Sequence, residues 1–467
     1  MKPLKAAAFA ALLAPFVAVS PTQAQGVASV YAEQGKLIRA GEAVGTLGAD
    51  LFGDKVNLYT GTVEFIQTDV SLPGNNALPV SVGRRLATGA ESLTGRTDAA
   101  FGDWELEIPH LHGVYSTYGW LAQYDNGLRC SHFSVPPLVG GNSGPSTWLG
   151  QEYWHGHFMY VPGAGSQEIL TRAPDNVNVP SDGSSWPLVT KNLWSLRCLN
   201  TMASGGGEGF IAISPDGTQY RFDWMVSRAY RSANKGTRDP VPFSTTGGTT
   251  AGARGAGQLP DLAVGNLLKG PNTPEMPNLV VGGLLKRLEV WIMPTVVTDR
   301  FGNTVTYTYN TAEPWKVQSI QSSDGRSLVI AYLAGTQRIQ SVTDGTRTWV
   351  YSYRSTIAGA MLDLVTQSDG SFWQFNADKL NAGVALYLGS PSCDDDGGLD
   401  STLETGTMKH PSGALGTFTI RATSHSKSFV ERVCMNESIG EPRALYPRFF
   451  AHKSLTNKTL RRRAKIT

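Results

Sequence analysis

The chain is predicted to be all-β, built of short antiparallel strands and hairpins that stack into a curved sheet. Three observations predict it. Apolar and polar residues alternate with period two in short runs between Val56 and Phe375, and turn dipeptides punctuate those runs. From Gly113 to Trp194 no helical period lasts three turns. The composition agrees: 52 Gly and 26 Pro among 467 residues supply many chain reversals, and with only 17% charged residues Ser, Thr, Asn and Gln must supply much of the polar surface.

The first 24 residues stand apart. Lys2 and Lys5 precede an apolar stretch from Ala6 to Val19, and Thr22-Gln23-Ala24 places small residues at both recognition positions before a cut. This is the pattern of a secretory signal, too short for a membrane span, and cleavage would leave Gln25 first. No later run is long enough to cross a bilayer, so the chain is expected to be exported to the periplasm, the outer surface or the medium, with no integral membrane segment after cleavage. The formal charge of +2 is accounted for by the two leader lysines, which leaves no electrostatic case for nucleic acid. Cys130, Cys198, Cys393 and Cys434 allow three pairings in an exported chain, and their grouping points to Cys130–Cys198 and Cys393–Cys434.

Residues 25–115 read as an N-terminal β segment. Gly35, Gly41, Gly45 and Gly48 punctuate its start, and a short helix is compatible with residues 28–38. Strand patterns begin at Val56, with turn signals at Thr60-Gly61 and at Pro73-Gly74-Asn75-Asn76; Val63 and Phe65, then Val70 and Leu72, are expected to face inward. Trp104, Leu106 and Ile108 alternate with Glu105 and Glu107, which assigns the two glutamates to solvent. Residues 116–230 read as a loop-rich β region that ends in a hairpin at 210–224, where Asp216-Gly217 reverses the chain and Tyr220, Phe222 and Trp224 share a face. Residues 231–285, with TTGGTTAGARGAG and several prolines, read as a flexible insertion.

Regularity returns over 286–385. Asp-Gly recurs at 324–325, 344–345 and 369–370, spaced by 20 and 25 residues. Aromatic strands VTYTYN, LVIAYL, TWVYSY and FWQF follow or lie between these turns, so DRFGNTVTYTYN (299–310) is one unit of a repeat. One two-stranded unit is marginal in water; neighbours must stack for each aromatic to be buried. Residues 386–467 form a C-terminal extension that ends in a basic run, Arg461-Arg462-Arg463 and Lys465.

In three places the chain resembles the RHS/YD-repeat family of large exported bacterial proteins. They are VNLYTGTVEFIQTDVSLPGNNALPVSVGRRL (56–86), GEGFIAISPDGTQYRFDW (207–224), and DRFGNTVTYTYN with DGRSLVIAY (299–310 and 324–332), in the family's order. The resemblance implies a curved, partial RHS/YD-repeat shell and a non-enzymatic role, structural or in surface and intercellular interaction. Partners expected on that basis are other RHS-type segments, an encapsulated polypeptide or surface glycans. Long members carry dozens of repeats, a Pro- and Gly-rich terminal core segment and a toxin domain; this chain shows a handful of repeats and neither of the others, which is compatible with a truncated member, a fragment that needs further units or a degenerate remnant. The alternative is an envelope carbohydrate-binding or carbohydrate-processing β protein.

No catalytic, cofactor or metal residues are assigned. The candidates weighed for metal are His155 and His157 in WHGHF with Glu152 nearby, His110 and His112 in PHLHG, His132, and the acidic run Asp394, Asp395, Asp396 and Asp400. Plain packing or a solvated turn is the stronger reading for each. Glu105 and Glu107 as a glycosidase pair, and SGGGEG (204–209) as a phosphate loop, are set aside; the second lacks the Gly-Lys-Ser/Thr ending. Tyr307, Tyr309, Trp349, Tyr351 and Tyr353 form an aromatic stripe whose expected role is packing, with sugar stacking as the functional alternative.

Overall fold

The structure is a computed structural model, which describes residues 51–56, 63–88, 97–120, 127–141, 147–148, 150–154, 156–173, 179–235, 283–381, 402–425, 434–435, 442–443 and 450–461. The fold is almost entirely β. Among the described residues the only helices are two single turns, Gly150–Tyr153 and Asp378–Asn381, and no helix is long and apolar enough to cross a membrane.

Eight antiparallel strands close a barrel. In ring order they are His110–Ser116, Phe158–Val161, Gly165–Thr171, Leu188–Thr190, Ser195–Leu199, Gly209–Ile213, Gln219–Lys235 and Gly283–Thr298, and the last pairs back to the first. Inward residues fill it: Leu111, Tyr115, Met159, Leu196, Phe210, Phe222 and Ile292 all pack in one buried cluster. It is a packed core and not a channel. Cys130–Cys198 ties a loop to strand Ser195–Leu199, as one expected pairing has it. Cys393, half of the other expected pair, lies outside the described residues.

From the barrel a ribbon peels away. Strand Gly283–Thr298 is long enough to serve two partners on one edge: residues 287–292 pair with 111–116, and 296–298 pair with 304–306. Pro294 sits in the gap, where its missing N–H costs no ladder bond. The opposite strand has register shifts at Arg221/Phe222 and Phe222/Trp224 at the same level, which add local twist where the sheet divides. The ribbon then runs through Thr304–Tyr309, Val317–Ser322, Ser327–Tyr332, Ile339–Thr343, Thr348–Thr356, Gly359–Thr366, Phe372–Asn376, Glu404–Lys409, Leu415–His425 and Phe450–Arg461, each strand antiparallel to the one before.

A separate four-stranded sheet, Asp54–Val56, Val63–Ser71, Ser81–Ala87 and Glu105–Leu106, packs on the buried face of that ribbon. Val63, Phe65, Val70 and Leu72 are all buried, as the pattern predicts. The phase of the alternation changes between them because a register shift falls between Thr68 and Val70. The hairpin at 210–224 forms with Gly217 at φ 90°. Its long arms change one boundary: residues 231–235 and 283–285, assigned by sequence to the insertion, are paired strand, Lys235 with Gly283. Residues 28–38, 60–61, 236–282 and 394–400 lie outside the described residues.

Candidate functional site

The repeat is a hydrogen-bond ladder made by three tyrosines. Tyr309 Oη donates to the Pro294 carbonyl at 2.6 Å, Tyr332 Oη to Val317 at 2.9 Å and Tyr353 Oη to Ile339 at 2.5 Å. Each tyrosine also sits at a register shift with the following strand, so that Tyr309 opposes Val317, Tyr332 opposes Ile339 and Tyr353 opposes Leu362. The carbonyl taken by Tyr332 therefore belongs to the residue that opposes Tyr309, and the carbonyl taken by Tyr353 to the one that opposes Tyr332. Each phenol thus spans three strands, and each bulge adds twist. Burial pushes all three hydroxyls above the usual phenol range, which keeps them as donors.

The turns carry the other half of the unit. Gly302, Gly325, Gly345 and Gly370 have φ of 88°, 90°, 92° and 83°, where a side chain is strained. The aspartates Asp299, Asp344 and Asp369 accept backbone N–H groups two to four residues on, and Asp324 holds Arg326. These bonds hold all four carboxyls below the ordinary range.

The N-terminal sheet is locked to the ribbon by buried polar groups. Arg84 is fully buried; its Nε meets both Asp69 oxygens at 3.1 and 3.0 Å, and its guanidinium lies 4.7, 5.3 and 4.5 Å from the rings of Trp104, Trp373 and Phe375. Asp69 also accepts Tyr351 Oη from the ribbon at 3.2 Å. Asp103 accepts the Leu362 N–H at 2.7 Å, and burial pushes its carboxyl up to about 7. At one corner Arg326 Nη1 donates to the Leu72 carbonyl at 2.9 Å, and Ile339 N–H to Ala100 at 2.7 Å. Phe52 and Phe65 close the apolar part against Phe418.

Two openings stand out among the described residues. One, of about 30 Å³, lies at the barrel beside Tyr115, Trp120, Arg129 and His157, and has room for about one water. The other is a cleft of about 450 Å³ between strand Val63–Ser71 and the turns around residues 367–371 and 410–411. Gln67, Asp69, Trp349, Gln367, Asp369 and Trp373 line it, with His410 at one side. Trp349 Nε1 donates to Gln367 Oε1 at 3.0 Å, which orients that amide and leaves its nitrogen without a partner among the described residues. The Ser412 N–H donates to His410 Nδ1 at 3.0 Å, so the neutral ring carries its proton on Nε2; burial lowers the pKa of this ring.

Of the residues weighed from sequence, His132 and His157 both line the barrel opening, and the rings of His110 and His112 lie 5.2 Å apart. His157 is buried against Trp120 at 4.7 Å, with Nδ1 on Tyr115 Oη at 2.7 Å and Nε2 on the Ser134 carbonyl at 3.3 Å, so both nitrogens are spent. His110 stacks on Trp291 at 3.7 Å and bonds the Ile108 carbonyl, and His112 bonds Ser166. Glu152 has no described side chain, and His155 and Asp394–Asp396 lie outside the described residues. Among the described residues no group of three or more His, Cys, Asp or Glu is placed to hold a metal. The assignment of Glu105 and Glu107 to solvent is corrected: Glu105 pairs with Arg228, which also pairs with Glu289 at 2.8 Å, and Glu107 accepts Tyr160 Oη at 3.1 Å. Both point toward barrel residues that sequence alternation does not register. Glu208 of SGGGEG accepts the N–H groups of Cys130 and Ser131, a loop clasp. Of the aromatic stripe, Tyr307, Tyr309 and Tyr351 are packed, and Trp349 alone lines the cleft. Sequence reasoning missed Arg84, Asp69 and Asp103.

No protein family is matched by the sequence, and no curated protein matches it. Among solved structures, similarity is found to the crystal structure of TcdB2-TccC3, at 10% identity and a TM-score of 0.26, over 81% of this chain and 17% of that one. The N-terminal domain of effector protein SpvB from Salmonella typhimurium strain LT2 is similar at 9% identity and a TM-score of 0.21, over 85% of this chain and 99% of that one. Scores this low carry no assignment of fold or function.

Proposed function

We propose that this chain is an exported, non-enzymatic scaffold of the RHS/YD-repeat type, with a structural or cell-surface and intercellular role. The tyrosine ladder supports it most: the residues that recur along the ribbon spend their polar atoms on backbone carbonyls and turn N–H groups, which is the chemistry of a stacked framework. In this reading the polypeptide enclosed by the ribbon is the chain's own N-terminal sheet, and other RHS-type segments join at the ends of the ribbon. The Cys130–Cys198 disulfide favours an oxidising compartment, in keeping with the leader.

The test is to express the full chain with its leader, fractionate the cells and identify the N-terminus by mass spectrometry. Recovery outside the cytoplasm, beginning at Gln25, with Cys130 and Cys198 oxidised and a monomeric, protease-resistant body, supports the scaffold. Retention with an intact leader and free thiols overturns export, and aggregation of the processed chain overturns a self-contained scaffold. The carbohydrate-processing alternative loses its carboxylate pair to the contacts of Glu105 and Glu107.

A further inference from the structure

The geometry points to an acid-sensitive contact, centred on His110, that lets the N-terminal sheet come away from the barrel wall in mild acid while its hold on the ribbon persists. His110 and His112 project from the outer face of strand His110–Ser116, since Leu111 between them packs in the barrel core. The N-terminal sheet covers His110. Arg85 of that sheet lies 4.8 Å from the Tyr160 ring, Tyr160 lies 5.2 Å from His110, and His110 stacks on Trp291 at 3.7 Å and 7°. Glu107, just beyond the last strand of the sheet, accepts the Tyr160 hydroxyl at 3.1 Å. His110, Tyr160 and Trp291 are all buried, so the stack is closed to water.

The stack is built for a neutral imidazole. His110 Nδ1–H donates to the Ile108 carbonyl at 2.8 Å, and Nε2 has no hydrogen-bond partner among the described residues, so a second proton would find no acceptor. The nearby carboxylates are engaged: Glu289 with Arg228 and the Trp291 indole N–H, Glu105 with Arg228, Glu64 with Arg85, and Glu107 with Tyr160. The Trp291 face attracts cations, but Arg228 already lies 5.1 Å from it. His112 stands 5.2 Å from His110, with Nε2 on the Ser166 hydroxyl. Charged groups further out are Lys55, which acts on Glu107, the exposed Glu168 opposite Phe158, and Lys316 paired with Glu313 beside Trp315. Burial, then His112 and Arg85, hold the His110 ring well below the ordinary imidazole range; burial and Arg85 act alike on His112, against Glu289. The docked chain therefore binds fewer protons here than the released one. This contribution is complete above about pH 6.5 and is lost as pH falls below it. Burial raises the Glu107 carboxyl, which opposes that loss, and raises Asp69 and Asp103, which keep the sheet on the ribbon in acid.

A ring that stays neutral when docked and takes a proton at about pH 6.5 when released shifts the docking equilibrium about thirtyfold at about pH 5. Hydrogen–deuterium exchange of the full chain at about pH 7.5 and about pH 5, corrected for chemical exchange, reads that shift. Peptides over residues 105–112 and 158–161 are expected to exchange about tenfold faster in acid, Glu107 offsetting part of the full effect. Barrel strands Ser195–Leu199 and Gly209–Ile213 and ribbon strand Thr348–Thr356 should keep their corrected rates. His110→Phe keeps a flat ring on Trp291 and takes no proton, so its acceleration should fall to about threefold or less. His132→Asn, at an exposed imidazole, should respond as the unmodified chain does. Should His110→Phe fail to fold, Glu107→Gln decides: it still accepts the Tyr160 hydroxyl and removes the opposing carboxyl, so its acceleration should exceed that of the unmodified chain. Unchanged or slower corrected exchange in acid, equal acceleration in His110→Phe, no gain in Glu107→Gln, or opening of Thr348–Thr356 together with residues 105–112 would each overturn the proposal.

Discussion

The barrel and the ribbon are made of the same strand chemistry, yet they solve the problem of sheet edges differently. The barrel closes on itself: strand Gly283–Thr298 returns to His110–Ser116, its interior is filled by its own side chains, and a disulfide ties a surface loop to one wall. The ribbon does not close within the described residues. Its buried face is completed by a sheet from far earlier in the sequence, through Arg84–Asp69–Tyr351, Asp103–Leu362 and Arg326–Leu72. Closure makes a sheet's stability its own; a docked sheet makes it depend on a second element. The two regions are therefore expected to fail separately.

The largest effect is expected from Arg84→Met. It leaves Asp69 buried with its cation gone, at a cost of about 3–5 kcal/mol, and the loss should fall on the N-terminal sheet and ribbon as read by hydrogen exchange. Replacing Cys130 and Cys198 together by Ser releases a cross-link across 68 residues and should cost about 2–4 kcal/mol, confined to the barrel in urea melts followed by limited proteolysis. Equal loss in both regions from either change would erase the comparison. Tyr332→Phe and Tyr353→Phe each remove one rung of the ladder and are expected to cost about 1 kcal/mol; the pair in one chain should exceed the sum, because the rungs share strands.

A further effect is one of pH. Asp103 has a carboxyl raised by burial from 3.8 to about 7, so the folded chain holds a proton that the unfolded chain has released. Its contribution is complete below about pH 4 and is lost as pH rises through about 7. Thermal melts of the N-terminal sheet and ribbon should accordingly fall between about pH 5 and about pH 8, and Asp103→Asn should reduce that slope, the remainder coming from Asp69 and Glu107, whose carboxyls burial also raises. A slope of opposite sign would remove Asp103 from the lock.

What sequence made legible was whatever is local. The hairpin at 210–224 announces itself through Asp216-Gly217, the repeat through Asp-Gly and aromatic spacing, and the inward faces of Val63, Phe65, Trp104 and Leu106 through alternation. Even the ladder left a trace, since Tyr309, Tyr332 and Tyr353 lie 23 and 21 residues apart, but nothing in that spacing says that the phenols reach back to carbonyls. Closure of the barrel was not legible, because it depends on pairing 111–116 with 287–292, and no local pattern encodes that. Arg84 in VSVGRRL looks like a solvent residue beside Arg85; only the arrival of Trp373 and Phe375 from nearly three hundred residues on buries it. Glu105 and Glu107 deceive for the same reason. The cleft escaped as well, since its walls come from stretches far apart in sequence, and of its residues Trp349 alone had been weighed for ligand contact.

The measurement that tests the central claim most directly is hydrogen–deuterium exchange by mass spectrometry on the full chain and on Arg84→Met. In the variant, strands Val63–Ser71 and Ser81–Ala87 should lose protection together with ribbon strands from Thr304 to Asn376, while Ser195–Leu199 and Gly209–Ile213 of the barrel keep theirs. A ribbon that stays protected while the N-terminal sheet opens, or a barrel that opens with it, would contradict the account.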